Sequence, residues 1–299
     1  MTSSGELFAS LPSGIDICYE TFGEAGDPPI LLIMGMGGPM NWWSVEFCSQ
    51  LAERGFFVIR YDNRDTGRST TMDNHPVTKS SVYKAYLGRS APPYGLDDFA
   101  EDALGLLDHL ELDAVNIVGV SMGGMIAQTI CISHPERVLS MTSIMSTTGR
   151  RTVGWQNPKV IPALMASAGN TRDSYIERSL KAAAVIGSPD YPAAEEATRA
   201  RAGETYDRGW SASGTVRHML AVLGAADRTK DLRSLTLPVT VIHGLKDPLV
   251  HRSGGKATAA AIPGAEHIEI PGMGHDLPPE LYSTFIDAIE HTTQRAVPR

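Results

Sequence analysis

Residues 115–124 of this chain read VNIVGVSMGG. The apolar-rich run at 115–118 is typical of a buried strand, and the glycines on either side of Ser121 favour an abrupt turn into a helix. Such a turn holds a hydroxyl exposed at the carboxyl end of a sheet. The pattern is weak by itself, because small residues at this spacing also arise by chance. The flanking segments therefore decide how Ser121 is interpreted.

Helices are predicted on both sides of Ser121. Residues 123–132 carry helix formers and apolar residues at three-to-four spacing, until His134 and Pro135 end the helix. Residues 96–110 place their apolar side chains on one face of an amphipathic helix, with acidic residues charging its first turns. The order helix, strand, turn, helix favours an exposed nucleophile at the turn.

Strands and helices alternate through most of the chain. Further strands are predicted at 15–21 (an edge strand), 30–34, 57–61, 138–145, 239–243 and 266–270. Further helices are predicted at 43–54, 254–261 and 279–291. This alternation predicts an α/β fold with a mostly parallel sheet and helices on its faces.

Residues 147–235 interrupt the alternation. They are rich in alanine, arginine, glutamate and serine, contain several prolines and show no convincing strand pattern. Helical pieces are predicted at 158–168, 171–187, 193–206 and 211–224. We therefore predict a helical cap, or lid, inserted into an α/β core made of residues 1–146 and 236–299.

Composition limits the classes of partner. The formal net charge of −8 argues against a nucleic-acid partner, because phosphate contacts need clustered lysine and arginine. No stretch approaches the ~18 uncharged apolar residues of a membrane span. The first twenty residues carry acidic side chains and no basic start before an apolar run, so no signal peptide is expected. We expect a soluble cytoplasmic protein whose partner is a small molecule.

The cysteines and other potential ligands indicate no metal or cofactor. Cys18, Cys48 and Cys131 each lie in an apolar stretch and are predicted to be reduced core residues. No cluster of histidine, cysteine and aspartate has metal-ligand spacing. We therefore expect neither a metal nor a cofactor.

Two residues follow predicted strands at the same end of the sheet as Ser121. Asp247 comes shortly after the strand at 239–243, and His275 comes shortly after the strand at 266–270. Ligands bind in the crevice outside the carboxyl ends of such strands, so these three side chains are expected to converge.

Their chemistry is complementary. A serine hydroxyl is a poor nucleophile and needs a base within ~3 Å, for which imidazole is suited. His275 is the predicted base, and Asp247 is predicted to hold its ring in the useful tautomer. Asp276 and Asp227 are weaker candidates for the acid. The other eight histidines end helices or strands, or lie in polar or helical surroundings, and have simpler structural interpretations.

At this point the chain resembles the α/β-hydrolase family, in fold pattern, elbow and the order Ser, Asp, His. Within the family it is most similar to the aclacinomycin methylesterase group and related actinobacterial esterases. The closer likeness depends on RYDNRDTGRS at 60–69, Met34-Gly35 and GMGH at 272–275. Many members have His-Gly where this chain has Met34-Gly35. The resemblance implies a serine esterase, with a methyl ester as one candidate substrate.

An oxyanion hole is expected beside Ser121. The elbow supplies one donor from the residue after the nucleophile, the backbone N–H of Met122. By resemblance, the second is the backbone N–H of Met36 in the glycine-rich loop at 35–38. The polar residues of the run at 60–69 are interpreted as a structural network that fixes the loop; they are Asp62, Arg64, Asp65 and Ser69.

The substrate pocket is expected to be apolar and adaptable, because methionine fills irregular apolar space. Ordinary core packing is the competing interpretation, above all for the methionines. The residues predicted to bind substrate are Gly35, Gly37, Trp42, Met125 and Met145.

Three functions remain open from the sequence. The preferred one is hydrolysis of a small-to-medium apolar carboxylic ester through an acyl-enzyme. The same triad also serves cofactor-free perhydrolysis, lactone hydrolysis or C–C bond hydrolysis. A third option is a binding protein that keeps the hydrolase scaffold without catalysis.

Overall fold

The computed structural model describes residues 3–86, 91–162 and 171–296. Eight strands form one sheet: β1 Leu7–Ser10, β2 Asp16–Phe22, β3 Pro29–Ile33, β4 Phe57–Tyr61, β5 Val115–Val120, β6 Val138–Ile144, β7 Val239–Gly244 and β8 Glu266–Ile270. Their spatial order is β1-β2-β4-β3-β5-β6-β7-β8. β1 and β2 pair antiparallel with their neighbours, while β4, β3 and β5 to β8 run parallel. The predicted mostly parallel α/β sheet is confirmed.

One strand assignment was wrong. The strand predicted at 15–21 forms as β2, but it is not at the edge of the sheet, because β1 pairs with its outer side. β1 has only four residues, of which only Ala9 is buried. So short a strand on an exposed edge lacks the alternation that would identify it in the sequence.

Nine α-helices lie in the described ranges. They are α1 Val45–Glu53, α2 Lys79–Tyr86, α3 Leu96–His109, α4 Met122–Ser133, α5 Arg172–Ile186, α6 Glu195–Asp207, α7 Ala212–Gly224, α8 Ser253–Ala261 and α9 Tyr282–Gln294. All but α2 lie close to predicted helices. The helix predicted at 158–168 begins as a 3-10 turn, Pro158–Val160, and from residue 163 it falls outside the described residues.

Two hydrophobic clusters cover opposite faces of the sheet. Along β3, Leu31 and Ile33 belong to the cluster that includes α3 and α4, whereas Ile30 and Leu32 belong to the cluster that includes α1 and α9. Successive side chains of a strand point to opposite faces, so one continuous apolar run serves both layers. The central strands β4, β5 and β7 are thereby buried along their whole length.

Residues 147–235, called the helical segment below, hold α5, α6 and α7 and no strand among their described residues. The two ends of the helical segment lie side by side: the Arg228 N–H donates to the Thr148 carbonyl at 2.9 Å. The Arg228 guanidinium also donates to the Thr147 carbonyl at 3.2 Å. The division into a core and an inserted cap stays a prediction, which these contacts support.

Two further expectations concern the chain as a whole. The three cysteines are free and buried, as predicted. Within the described residues, no helix combines the length and the hydropathy needed to cross a bilayer.

Candidate active site

Ser121 occupies a strained backbone position between β5 and α4. Its φ of 56° and ψ of −117° are unusual for a residue with a side chain. The glycines on both sides allow the sharp turn. A Cβ at Gly119 would lie 2.3 Å from the Gly123 carbonyl oxygen, and one at Gly123 would lie 2.1 Å from that of Ile33. Only glycine fits such close approaches, so the predicted elbow forms.

Ser121, His275 and Asp247 form a continuous hydrogen-bonded chain. The Ser121 hydroxyl lies 3.1 Å from His275 Nε2, and His275 Nδ1 lies 2.7 Å from Asp247 Oδ2. A carboxylate can only accept, which assigns the ring proton to Nδ1 and leaves the Nε2 lone pair facing the hydroxyl. β7 and β8 deliver the acid and the imidazole to the same edge as the elbow, as the sequence predicted.

Asp247 is held as a buried carboxylate. The backbone N–H groups of Leu249 and Val250 donate to Oδ1 at 2.8 and 2.9 Å. Burial by itself would raise the pKa of Asp247, but the electrostatic interaction with His275 and hydrogen bonds from His243 and His275 outweigh it and lower the pKa to about 2. The side chain is therefore ionised at neutral pH and can accept the hydrogen bond from the Nδ1–H of His275.

His243 is a neighbour of Asp247 that sequence reasoning placed only at a strand end. Its ring is fully buried, and Nε2 donates to the Val250 carbonyl at 2.8 Å while lying 3.4 Å from Asp247 Oδ2. It supports the turn that carries the carboxylate. No sequence signal distinguishes it from an ordinary core histidine.

The alternative acids make other contacts. The Asp276 carboxylate accepts from the Ser188 hydroxyl, and burial raises its pKa. The Asp227 carboxylate accepts from the backbone N–H of Thr229 at 2.9 Å. Of the three candidate acids, it is Asp247 that hydrogen-bonds the imidazole of His275.

The glycine-rich loop at 35–38 lies directly beside Ser121. A Cβ placed on Gly35 would be 3.2 Å from the Ser121 Cβ and 3.8 Å from its Oγ. In the described part of the chain, the N–H groups of Met36 and Met122 donate no hydrogen bond. Unused donors next to a nucleophile are what an oxyanion site requires, but the role of these two groups stays a prediction.

The other residues predicted to touch substrate have differing surroundings. Gly37 packs under the side chain of Thr215, and the Trp42 indole N–H donates to the Thr205 hydroxyl at 2.9 Å. Met125 and Met145 are buried in the clusters on opposite faces of the sheet. The competing interpretation, core packing, accounts for the surroundings of both methionines. Substrate contact by these residues stays a prediction.

The loop after β4 is a buried polar network. Arg64 pairs with Asp102 through two hydrogen bonds of 2.6 and 2.7 Å, and Arg217 of α7 pairs with Asp65 through two of 2.7 and 2.6 Å. The Ser69 hydroxyl donates to the Asp62 carbonyl at 2.6 Å. The predicted structural network is confirmed, and it joins the loop both to α3 and to the helical segment.

His275 and the residue before it are held by the end of α5 and the turn that follows it. The His275 N–H donates to the Ile186 carbonyl at 2.7 Å, and the Gly274 N–H donates to the Ser188 hydroxyl at 2.8 Å. A Cβ on Gly274 would lie 2.4 Å from the Gly187 carbonyl oxygen. The position of the imidazole therefore depends on the helical segment, which sequence patterns alone could not indicate.

Comparison with known proteins identifies the family. A family model described as the alpha/beta hydrolase fold matches residues 28–280, and the chain belongs to this family. The chain is 29% identical to the rhodomycin D methylesterase DauP of a Streptomyces species, covering 94% of this chain and 96% of the relative. It is 28% identical to the rhodomycin D methylesterase DnrP of Streptomyces peucetius, with the same coverage.

A solved structure gives the same fold. The enol-lactonase of Burkholderia xenovorans aligns with a TM-score of 0.74 at 21% identity, covering 96% of this chain and 100% of that one. The resemblance predicted from the sequence is thus confirmed at the level of an α/β-hydrolase esterase. The chain is a hydrolase of the carboxylesterase type.

Proposed function

We propose that this protein hydrolyses carboxylic esters through an acyl-enzyme formed on Ser121. The observation that carries the proposal is the hydrogen-bonded chain from the Ser121 hydroxyl through His275 to the Asp247 carboxylate. Each group has the protonation that its role needs, since the Nε2 lone pair faces the hydroxyl and the carboxylate is ionised.

In the first half-reaction, Ser121 Oγ attacks the ester carbonyl while His275 Nε2 takes the hydroxyl proton. Asp247 stabilises the imidazolium that forms. The carbonyl oxygen becomes negative and accepts hydrogen bonds from the backbone N–H groups of Met36 and Met122. Collapse of the tetrahedral intermediate breaks the bond to the alcohol oxygen, which receives the proton from His275. The alcohol leaves, and the acyl group remains on Ser121.

Water completes the reaction by the same route. His275 removes a proton from the water as it attacks the acyl-enzyme, and the second tetrahedral intermediate uses the same two donors. Its collapse returns the proton to Ser121 Oγ and releases the carboxylic acid.

The substrate class is an apolar ester of small or medium size. Met36 and Trp42 are partly buried near the glycine-rich loop, and both pack against the apolar clusters. The names of the Streptomyces relatives, which are methylesterases, favour a methyl ester as the scissile bond. The helical segment acts as the cap in this proposal, because Thr205 and Thr215 contact Trp42 and Gly37.

The first test measures hydrolysis of p-nitrophenyl butyrate and labelling by a fluorophosphonate. Ser121→Ala should lower kcat by about 10⁶-fold, the size of effect found when the nucleophile of other Ser-His-Asp triads is removed. It should also no longer react with the fluorophosphonate. Ser133→Ala is the matched control: Ser133 ends α4, the helix that begins directly after Ser121, and its hydroxyl donates to the Thr129 carbonyl. A folded wild-type protein that neither reacts nor hydrolyses esters would favour a binding function.

A second measurement defines the bond that is cleaved. Methyl esters of graded acyl length, a simple lactone, and acetate with peroxide should be compared at matched concentrations. The proposal expects the highest kcat/KM for a methyl ester. A marked preference for the lactone, or peroxide-dependent oxidation of halide, would replace ester hydrolysis by the corresponding alternative.

A further inference from the structure

We infer that His218 is a positioning residue that fixes the glycine-rich loop, so that the Met36 N–H faces Ser121. His218 lies on α7 in the helical segment, 181 residues from the loop in sequence. Its Nδ1 accepts from the Gly37 N–H at 3.2 Å, and its Nε2 lies 2.7 Å from the Arg64 carbonyl oxygen. The inference rests on the proposed function, since it assigns a task to the oxyanion loop.

The hydrogen-bond partners of His218 fix its tautomer. A carbonyl oxygen can only accept, so Nε2 carries the proton and donates to Arg64. Nδ1 then has a lone pair for the Gly37 N–H. The ring is fully buried, and it packs edge-on against Phe99, with ring centroids 5.0 Å apart and planes at 88°. Neither nitrogen is free to change partner without moving the ring.

Charged groups around the ring are already paired with each other. Arg64 and Arg217 lie near the ring, but the first is bound to Asp102 and the second to Asp65. Burial lowers the pKa of His218 to about 4. The imidazole therefore stays neutral in the working range of an esterase and keeps its acceptor.

The bond to Gly37 selects which N–H groups of the loop remain available. With its N–H taken by His218, Gly37 cannot serve the oxyanion, whereas the neighbouring Met36 N–H donates to no group among the described residues. Gly37 has a φ of +68°, and Thr215, one turn before His218 on α7, packs on it. At the start of the loop, the Asn63 amide donates to the Met34 carbonyl at 3.2 Å. The loop is thus held on both sides of Met36.

Small displacements of an oxyanion donor are costly. The hydrogen bonds from the oxyanion donors stabilise the negative charge of the tetrahedral intermediate. A shift of the loop therefore weakens binding of the transition state more than binding of the substrate. A change at His218 is therefore expected to lower kcat with little effect on KM. A residue that contributed only to folding would lower the melting temperature without this selective effect.

Two substitutions separate the two hydrogen bonds. His218→Asn keeps an acceptor at the position of Nδ1 and loses the donor to Arg64. His218→Gln keeps a donor at the position of Nε2 and loses the acceptor for Gly37. Ala221→Gly, at a buried position one turn further along α7, is the matched control for a destabilised helix.

The experiment measures kcat and KM for p-nitrophenyl butyrate, inhibition by a trifluoromethyl ketone, and the melting temperature. The ketone forms a hemiketal oxyanion on the serine and so reports the oxyanion site directly. For His218→Gln we expect kcat and ketone affinity to fall by about 10- to 100-fold with KM unchanged, a part of the effect of deleting an oxyanion donor. His218→Asn should retain most of both, even where it melts at a lower temperature.

Three results would overturn the inference. They are a His218→Gln enzyme with wild-type ketone affinity, equal losses in the Asn and Gln variants, and losses that Ala221→Gly reproduces at a matched melting temperature. Each of these requires an active wild-type enzyme that is labelled at Ser121. An inactive, unlabelled wild type would instead refute the proposed function.

Discussion

The pH dependence of stability should reveal whether His218 is held neutral. Burial is the main cause that lowers its pKa, from 6.5 to about 4, and the nearby Arg217 and Arg64 charges act in the same direction, against the Arg64 carbonyl and Asp65. Between pH 4 and pH 6.5, His218 is therefore protonated in the unfolded chain but neutral in the folded chain. The stabilisation is complete above pH 6.5 and is lost as the pH falls towards 4.

The magnitude follows from the two pKa values. The His218 contribution to the free energy of unfolding should fall by ~2 kcal/mol between pH 7 and pH 5, and by ~3 kcal/mol by pH 4. Other titrating groups are common to the wild type and to His218→Asn, so they cancel in the difference between the two proteins. The stability gap between them should therefore narrow by ~2 kcal/mol from pH 7 to pH 5.

Urea unfolding at several pH values between 5 and 7 measures this gap. His218→Gln also lacks the titrating ring and should show the same narrowing, whatever its activity. A gap that is constant with pH in both variants would show that His218 does not resist protonation. The tautomer assigned to it, and with it the acceptor for the Gly37 N–H, would then be wrong.

Two further predictions concern the triad. Asp247→Asn should lower kcat for p-nitrophenyl butyrate by about 10⁴-fold, because the amide no longer favours the useful imidazole tautomer; a near-normal rate would mean that the acid is misassigned. Ser188→Ala removes the acceptor for the Gly274 N–H and should lower kcat by about tenfold at unchanged KM. The control is Ser179→Ala in α5, the helix that ends just before Ser188, and equal rates in both variants would exclude a positioning role.

The local parts of the site could be predicted from the sequence. Ser121 can be recognised by its flanking glycines, because a Cβ at Gly119 or Gly123 would collide with nearby backbone. The turn therefore depends mainly on residues that are close in the sequence. Asp247 and His275 follow two parallel strands, whose carboxyl ends must meet at one edge of the sheet. Convergence of the three therefore required only the strand pattern and the order of the strands.

The supporting parts could not be predicted because they depend on how distant elements dock. Asp102 is one of the acidic residues expected in the first turns of the helix at 96–110. In the structure its side chain is buried and binds Arg64, 38 residues away in the sequence. His218 lies within α7 and Ser188 in the turn after α5, and neither carries a local signal of its role. Their roles exist only once the helical segment is packed on the sheet. β1 was missed for a different reason, since four mostly exposed residues carry no periodic pattern.

The attachment of the His275 loop to the end of α5 affects how this scaffold can be re-engineered. Exchanging residues 147–235 for those of a relative is an obvious way to alter which substrates are accepted. Such a chimera would also replace Ser188, and with it the contact that holds Gly274. The rate of turnover and the choice of substrate therefore depend on the same segment. A chimera that exchanges residues 147–235 should also carry residues 272–276 from the same relative, so that the contact between them is kept.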